Sequence, residues 1–243
     1  MEQSVIVYAD IVGFKNRMKE AHDRGNEQEQ LEWLTERLHE AHREIHDPSG
    51  AKWSVKAFTD NVIIGYRYLG SGGGSFEFLQ ACCNIGHFQL ELAVHGLFIR
   101  GGIGVGSIHI SDNLIFGYIL EEFSQAEERA KKPRVILLES AMNHINAHSE
   151  IDADGLLTRI LWDDTDNRST YINYLYPLQA RADSLLKEML QKHKRIIESK
   201  LKEHRADPDC CSVYKKFVWA AKYHNRFCRE SCFYNNDAFK ILI

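Results

Sequence analysis

Two aspartates, each at the mouth of a short apolar strand, are the residues of this chain best placed to do chemistry. Asp10 closes the run Val5-Ile6-Val7-Tyr8-Ala9-Asp10-Ile11-Val12-Gly13-Phe14, and Asp60 sits in Lys56-Ala57-Phe58-Thr59-Asp60-Asn61, followed by Val62-Ile63-Ile64. Carboxylates held on adjacent strand ends can bind two divalent cations against a triphosphate. That arrangement suits phosphoryl or nucleotidyl chemistry run by metals rather than by a protein nucleophile. Each aspartate alone has a plainer reading. Asp10 can cap the helix that follows, and Asp-Asn is ordinary hairpin-turn chemistry. Together on neighbouring strands they would repel unless a cation or a proton came between them. Gly13 adds weight, because a glycine just past a strand lets the N–H groups of a helix start approach a phosphate.

The elements that position these residues follow from pattern. Residues 4–11 read as a buried strand, since Val5, Ile6, Val7 and Ile11 form a nearly continuous β-branched run. Helical pattern runs from Gly13 to about His46, broken at Gly25-Asn26. Asp47-Pro48-Ser49-Gly50 is a turn, and Trp53–Ala57 and Val62–Tyr66 are strands of a hairpin closed by Phe58–Asn61. Gly70-Ser71-Gly72-Gly73-Gly74-Ser75 is a flexible loop, Phe76–Val94 a helix, and Leu97–Ile110 a second hairpin. Gly117–Ala130 reads as a helix and Val135–Leu138 as a strand. The order β-α-α-β-β-α-β-β-α-β predicts an α+β fold: a ferredoxin-like core with an inserted hairpin, one antiparallel sheet with helices on one face. Composition shifts after about residue 165. Leu178–His204 and Val213–Arg229, parted by Asp207-Pro208-Asp209, form charged helices with apolar stripes. The expected division is a catalytic domain over 1–165 and a helical extension over 166–243, packed on the core or on a second subunit.

Bulk properties narrow the partners. At 243 residues, 44% hydrophobic and 26% charged, the chain is an ordinary globular protein. Its 30 Lys+Arg against 34 Asp+Glu give a net charge of -4, which argues against nucleic-acid binding and for a small ligand or another protein. The cysteines fall as the neighbours Cys82-Cys83 and Cys210-Cys211 and as Cys228 and Cys232, without C-x-x-C spacing. Reduced core thiols in a cytoplasmic protein are expected. No secretory leader pattern appears, and no apolar run nears the roughly 18 residues of a membrane span. No G-x-x-x-x-G-K-[ST] or H-E-x-x-H occurs, and the scattered histidines predict no histidine metal site. The glycine run at 101–106 leads into the strand-like Ser107-Ile108-His109-Ile110, so it is not a dinucleotide fingerprint.

Three motifs in order, Asp-Ile-x-Gly-Phe at 10–14, Lys-x-x-x-Asp at 56–60 and Arg-Gly-Gly-Ile-x-x-Gly at 100–106, resemble the class III nucleotide cyclases. Further features resemble the bacterial pyrimidine (uridylate/cytidylate) cyclases of the Pycsar anti-phage defence system. These are Phe58-Thr59-Asp60-Asn61, Phe98–Ile103, the stretch from Ile115-Phe116-Gly117 through Glu127 and Ala130 to Pro133-Arg134-Val135, and Trp219 with Tyr223-His224-Asn225. The resemblance spans nearly the whole chain.

That resemblance implies that Asp10 and Asp60 are catalytic carboxylates holding two Mn²⁺ or Mg²⁺ ions, with the Ile11 carbonyl as a further ligand. The N–H groups of Val12, Gly13 and Phe14 would cradle the phosphates. The ribose 3′-oxygen would attack the α-phosphorus in line and release pyrophosphate, with no covalent intermediate. It also implies a head-to-tail homodimer whose sites lie at the interface. Departures bear on the substrate. Aligned on Gly117, the places where adenylyl cyclases of this class carry an Asn and a transition-state Arg hold Glu121 and Gln125, and the usual base-reading Asp is Leu114. Lys56 stands where a purine-reading lysine often lies; it is either a solvated strand residue or a pyrimidine contact. Arg100 and Arg134 are candidates for the missing positive charge at the phosphates. The expectation is a pyrimidine cyclase acting on UTP or CTP, with UTP favoured, whose product activates a separate effector. No nucleic acid and no membrane take part. The alternatives are a purine cyclase of the same fold and a degenerate cyclase that binds nucleotide without turnover.

Overall fold

Strand β1 (Glu2–Ile11) runs through the middle of a mixed eight-stranded sheet. The computed structural model describes residues 2–43, 45, 53–67, 74–111, 113–124, 126–148, 155–164, 169–179, 183–205 and 211–242. On one side β1 pairs antiparallel with β3 (Asn61–Arg67), which forms a hairpin with β2 (Trp53–Phe58). On the other it pairs antiparallel with β4 (Ile99–Ile110). Helices α1 (Phe14–Arg24) and α2 (Glu27–Arg43) carry the chain from β1 to β2, and α3 (Ser75–Ala93) from β3 to β4. Two crossover units are thereby interleaved in the order β2-β3-β1-β4, the ferredoxin-like core expected. Crossovers of the usual hand put their helices on the same face. Val5, Val7, Ala9 and Ile11 of β1 bury there with Ala41 of α2 and Phe78, Cys82, Ile85 and Phe88 of α3.

Beyond β4 the sheet continues through a parallel neighbour, β6 (Val135–Leu137), to β8 (Ser169–Ile172) and β7 (Leu161–Asp164). The stretch 97–110, expected as a hairpin, contains a single 12-residue strand. The hairpin comes one step later, where β5 (Ile115–Phe116) pairs with the end of β4. The glycines serve packing rather than a turn. A Cβ on Gly104 or Gly106 would stand 3.2 or 3.1 Å from the Ile119 side chain, so their absence lets α4 (Ile119–Phe123) lie close on the sheet. The helix expected over 117–130 is two short ones, α4 and α5 (Ala126–Ala130), and the Ser124 hydroxyl donates to the Glu121 carbonyl near the end of the first. Two further helices, α6 (Glu139–Ala147) and α7 (Leu156–Ile160), lead to β7. The turn expected at 47–50, most of the glycine loop at 70–75, and the break at 207–209 lie outside the described residues.

The C-terminal helices α8 (Ser184–His204) and α9 (Cys211–Glu230) pack on the chain's own sheet. Leu190, Ile197, Phe217, Ala220 and Phe227 bury in a second cluster with Ile6, Phe98, Ile136 and Tyr171, on the sheet face away from α2 and α3. The boundary expected at 165 falls between β7 and β8, which pair antiparallel in the same sheet.

A buried polar line joins this extension to the chain's last turns. The Tyr174 hydroxyl lies 2.9 Å from His193 Nε2, His193 Nδ1 lies 2.9 Å from His224 Nδ1, and His224 Nε2 lies 2.8 Å from the Phe239 carbonyl. A carbonyl only accepts, so His224 carries its proton on Nε2 and accepts at Nδ1 from His193. That leaves His193 Nε2 to accept from Tyr174. Burial pushes both imidazole pKa values down, His224 to about 4. Of the cysteines described, Cys82, Cys83, Cys228 and Cys232 are free, and burial raises Cys83 and Cys228 to about 11. No helix among the described residues is long and apolar enough to cross a membrane.

Candidate active site

Register brings the two aspartates to the same end of the sheet. Asp10 stands opposite Asn61 on β3 and opposite Arg100 on β4. The Ile11 N–H donates to the Asp60 carbonyl at 2.7 Å, tying the end of β1 to the β2–β3 turn. Within that turn Thr59 has φ +51°, a backbone conformation unusual for a β-branched residue and costing roughly 1–3 kcal/mol. The Asp60 carboxylate is oriented locally: its Oδ1 accepts from Thr59 Oγ1 and from Asn61 Nδ2, each at 3.0 Å.

Asp10 is 7% exposed, and Arg100 holds both of its oxygens, Nε to Oδ1 at 2.7 Å and Nη2 to Oδ2 at 2.9 Å. The carboxylate is therefore already set up to stabilise a positive charge. Carboxylate oxygens on two tied segments are the hard donors that suit Mg²⁺ or Mn²⁺. The residues present fit divalent cations.

Behind Asp10, Gly13 (φ +80°) opens α1 with no side chain capping the helix. The first N–H groups of a helix have no partner within it, so a start of this kind can receive an anion. One member of the expected phosphate cradle is corrected: the Val12 N–H is given to the Phe98 carbonyl at 2.7 Å. A cavity of about 680 Å³ adjoins this turn, lined among others by Gly13, Arg17, Lys200, His204 and Phe217. It opens between α1 and the C-terminal helices, and neither Asp10 nor Asp60 lines it.

The remaining sequence candidates separate. Lys56 pairs with Ile63, which pairs with Tyr8, so it shares the sheet face of Asp10 one pleat back from the turn. Arg134 is corrected outright as a phosphate ligand. It is fully buried, ion-paired with Asp164, and its guanidinium carbon lies 5.1 Å from the Tyr171 ring centroid and 5.4 Å from that of Trp219. Leu114 is exposed beyond the end of β4, and ten residues of that strand, roughly 33 Å, separate Arg100 from Ile110. It cannot touch a ligand held by Asp10 of the same chain. Glu121 is exposed, and Gln125 lies outside the described residues.

The role of Arg100 on Asp10 was missed by sequence reasoning. The signal was present as opposite charges at two strand ends, but only the register makes them neighbours.

No family model matches the chain, and no curated protein matches it. Among solved structures, the adenylyl cyclase CyaB from P. aeruginosa aligns with 70% of this chain and 92% of its own, at a TM-score of 0.45 and 15% identity. A class III adenylyl cyclase-like ATP-binding protein from Pseudomonas aeruginosa aligns with 59% of this chain at a TM-score of 0.40 and 14% identity. The alignment spans about a third, 34%, of that second protein.

Proposed function

We propose that this chain is a metal-dependent nucleotide cyclase of the class III type, converting UTP or CTP to the 3′,5′-cyclic nucleotide and pyrophosphate. The observation that carries the reading is the convergence of Asp10 and Asp60 on tied strand ends beside the uncapped start of α1. Two Mn²⁺ or Mg²⁺ ions, when bound, supply Lewis-acid activation of the sugar hydroxyl and neutralise the triphosphate. Asp10 and Asp60 hold them. The N–H groups at the start of α1 receive phosphate oxygens, and Arg100, once displaced from Asp10, is a cation within reach of the same charge. Lys56, on the same sheet face, is the candidate for the base.

A base contact from Leu114 requires a second copy of the chain, which favours a head-to-tail homodimer with sites at the interface. Leu114, Phe116 and Tyr118 are 55%, 60% and 84% exposed, and they give such a copy an apolar surface to cover. The pyrimidine substrate and the defence role, in which the product acts through a separate effector, rest on the resemblance in sequence, and the cytoplasmic setting on the cysteine pattern.

A second reading is a binder without turnover. The Arg100 grip on Asp10 and the exposed, acidic Glu121 where adenylyl cyclases of this class carry an Asn favour it. Incubating purified protein with Mn²⁺ and ATP, GTP, CTP or UTP separately, with mass-spectrometric identification of products, decides between them. A cyclic pyrimidine is the expected result. A cyclic purine keeps the reaction and overturns the substrate, and nucleotide binding without pyrophosphate release establishes the binder.

A further inference from the structure

On the sheet face opposite Asp10, three ligating side chains meet where α2 and α3 pack together. Glu91 stands in the last turn of α3, and His95, in the turn just past the helix end, folds back to it. Glu40 reaches them from α2. His95 Nε2 lies 3.1 Å from Glu91 Oε1 and 3.8 Å from Glu40 Oε2, and one ligand atom from each residue lies within 4.8 Å of the other two. A tetrahedral zinc ion with bonds near 2.0–2.1 Å holds its ligand atoms roughly 3.3 Å apart. The two histidine distances bracket that spacing.

The surroundings suit a bound ion. Ala41 and Leu92, the neighbours of Glu40 and Glu91, are in the core, so the two carboxylate ligands stand on fixed helices. The three side chains keep 19–27% exposure, which leaves an ion open to solvent for a fourth ligand. Arg37 contacts Glu40 Oε2 and also pairs with Glu36, and Arg43 lies 3.9 Å from Glu40 Oε1. Arg37 thus offsets part of the two carboxylate charges and orients one of them from outside, as an outer partner of a metal ligand does.

We propose that Glu40, Glu91 and His95 form a binding site for zinc or a neighbouring first-row transition ion, clipping α2 to α3. One imidazole with two carboxylates is a zinc-type donor set and distinguishes this site from the all-oxygen site at Asp10 and Asp60. It departs from the expectation of no histidine metal site: Glu91-x-x-x-His95 is visible in the sequence, but the third ligand comes from another helix. The site stands whether or not the chain turns nucleotides over.

Titration of the metal-stripped protein with Co²⁺, followed by visible absorption, tests it. One equivalent binds with the bands of a four-coordinate nitrogen–oxygen site and is displaced by Zn²⁺. His95→Ala and Glu91→Gln each weaken binding by about tenfold or more, while Asp60→Asn leaves it unchanged. Equal affinity in wild type and in whichever of the two variants folds, judged by its melting curve, overturns the proposal. So does a thiolate charge-transfer band, which puts the ion on cysteine, or loss of the signal in Asp60→Asn.

Discussion

Arg100 grips Asp10 through two parallel hydrogen bonds, one to each carboxylate oxygen, across the end of β1 and β4. A forked guanidinium–carboxylate pair of this kind is among the stronger charge-assisted contacts. It competes directly with any cation for Asp10. Metal binding alone is therefore weakened, and nucleotide, by offering Arg100 a new anion, relieves the competition. Arg100→Ala should bind Mn²⁺ alone several-fold more tightly than wild type, read from the electron paramagnetic resonance of free Mn²⁺, while turnover falls by about a hundredfold. Unchanged Mn²⁺ affinity would dispose of the competition.

The two aspartates should differ when removed. Asp10→Ala and Asp60→Ala both abolish cyclase turnover. Asp10→Ala also leaves Arg100, 18% exposed, without its carboxylate, and should lower stability by about 3 kcal/mol. The Asp60 carboxylate is held by its chain neighbours, Thr59 and Asn61, and its loss should change stability by less than about 1 kcal/mol. Urea unfolding of the two variants checks this; equal losses would contradict the geometry.

Arg134 belongs to the core rather than to the phosphates. Its removal takes one cation from Asp164, which keeps its ion pair with Lys132, and leaves a gap between Tyr171 and Trp219. Arg134→Met should lower stability by about 3 kcal/mol and leave the Michaelis constant for nucleotide unchanged below its melting temperature. A rise in that constant without loss of stability would restore Arg134 as a ligand.

Acid should weaken the extension through its histidines. His193 and His224 have folded pKa values below their ordinary 6.5, so the unfolded chain takes up protons first as pH falls. Their contribution is intact above 6.5 and is lost downward from there, for His224 until about pH 4, a total of about 3 kcal/mol for that residue. Urea midpoints at pH 7.5 and 5 should diverge in wild type and converge in a His193→Phe, His224→Phe double variant. Equal pH slopes in the two proteins would refute the assignment.

What could be read without the structure follows from how local the signal is. β1 and the β2–β3 hairpin were legible because β-branched runs and a turn dipeptide are properties of a few adjacent residues. The length of β4 was not, since glycines that admit Ile119 look in sequence like glycines that turn a chain. The aspartates were legible as a pair but not as partners of Arg100, because register is set by the whole sheet. Arg134 stands between a proline and the strand read at 135–138, and nothing nearby in sequence foretells its burial beside rings from β8 and α9.

Arg134 also bears on how such a chain can be recombined. Its guanidinium is walled by Tyr171 and Trp219 and answered by Asp164, so one buried cation draws on the lead-in to β6, on β7, on β8 and on α9. The part bearing Asp10 and Asp60 is then no transplantable cassette. A chimera that exchanges the C-terminal helices must carry Trp219 and Arg134 as a matched set, and one that breaks the set inherits a charge with nowhere to go.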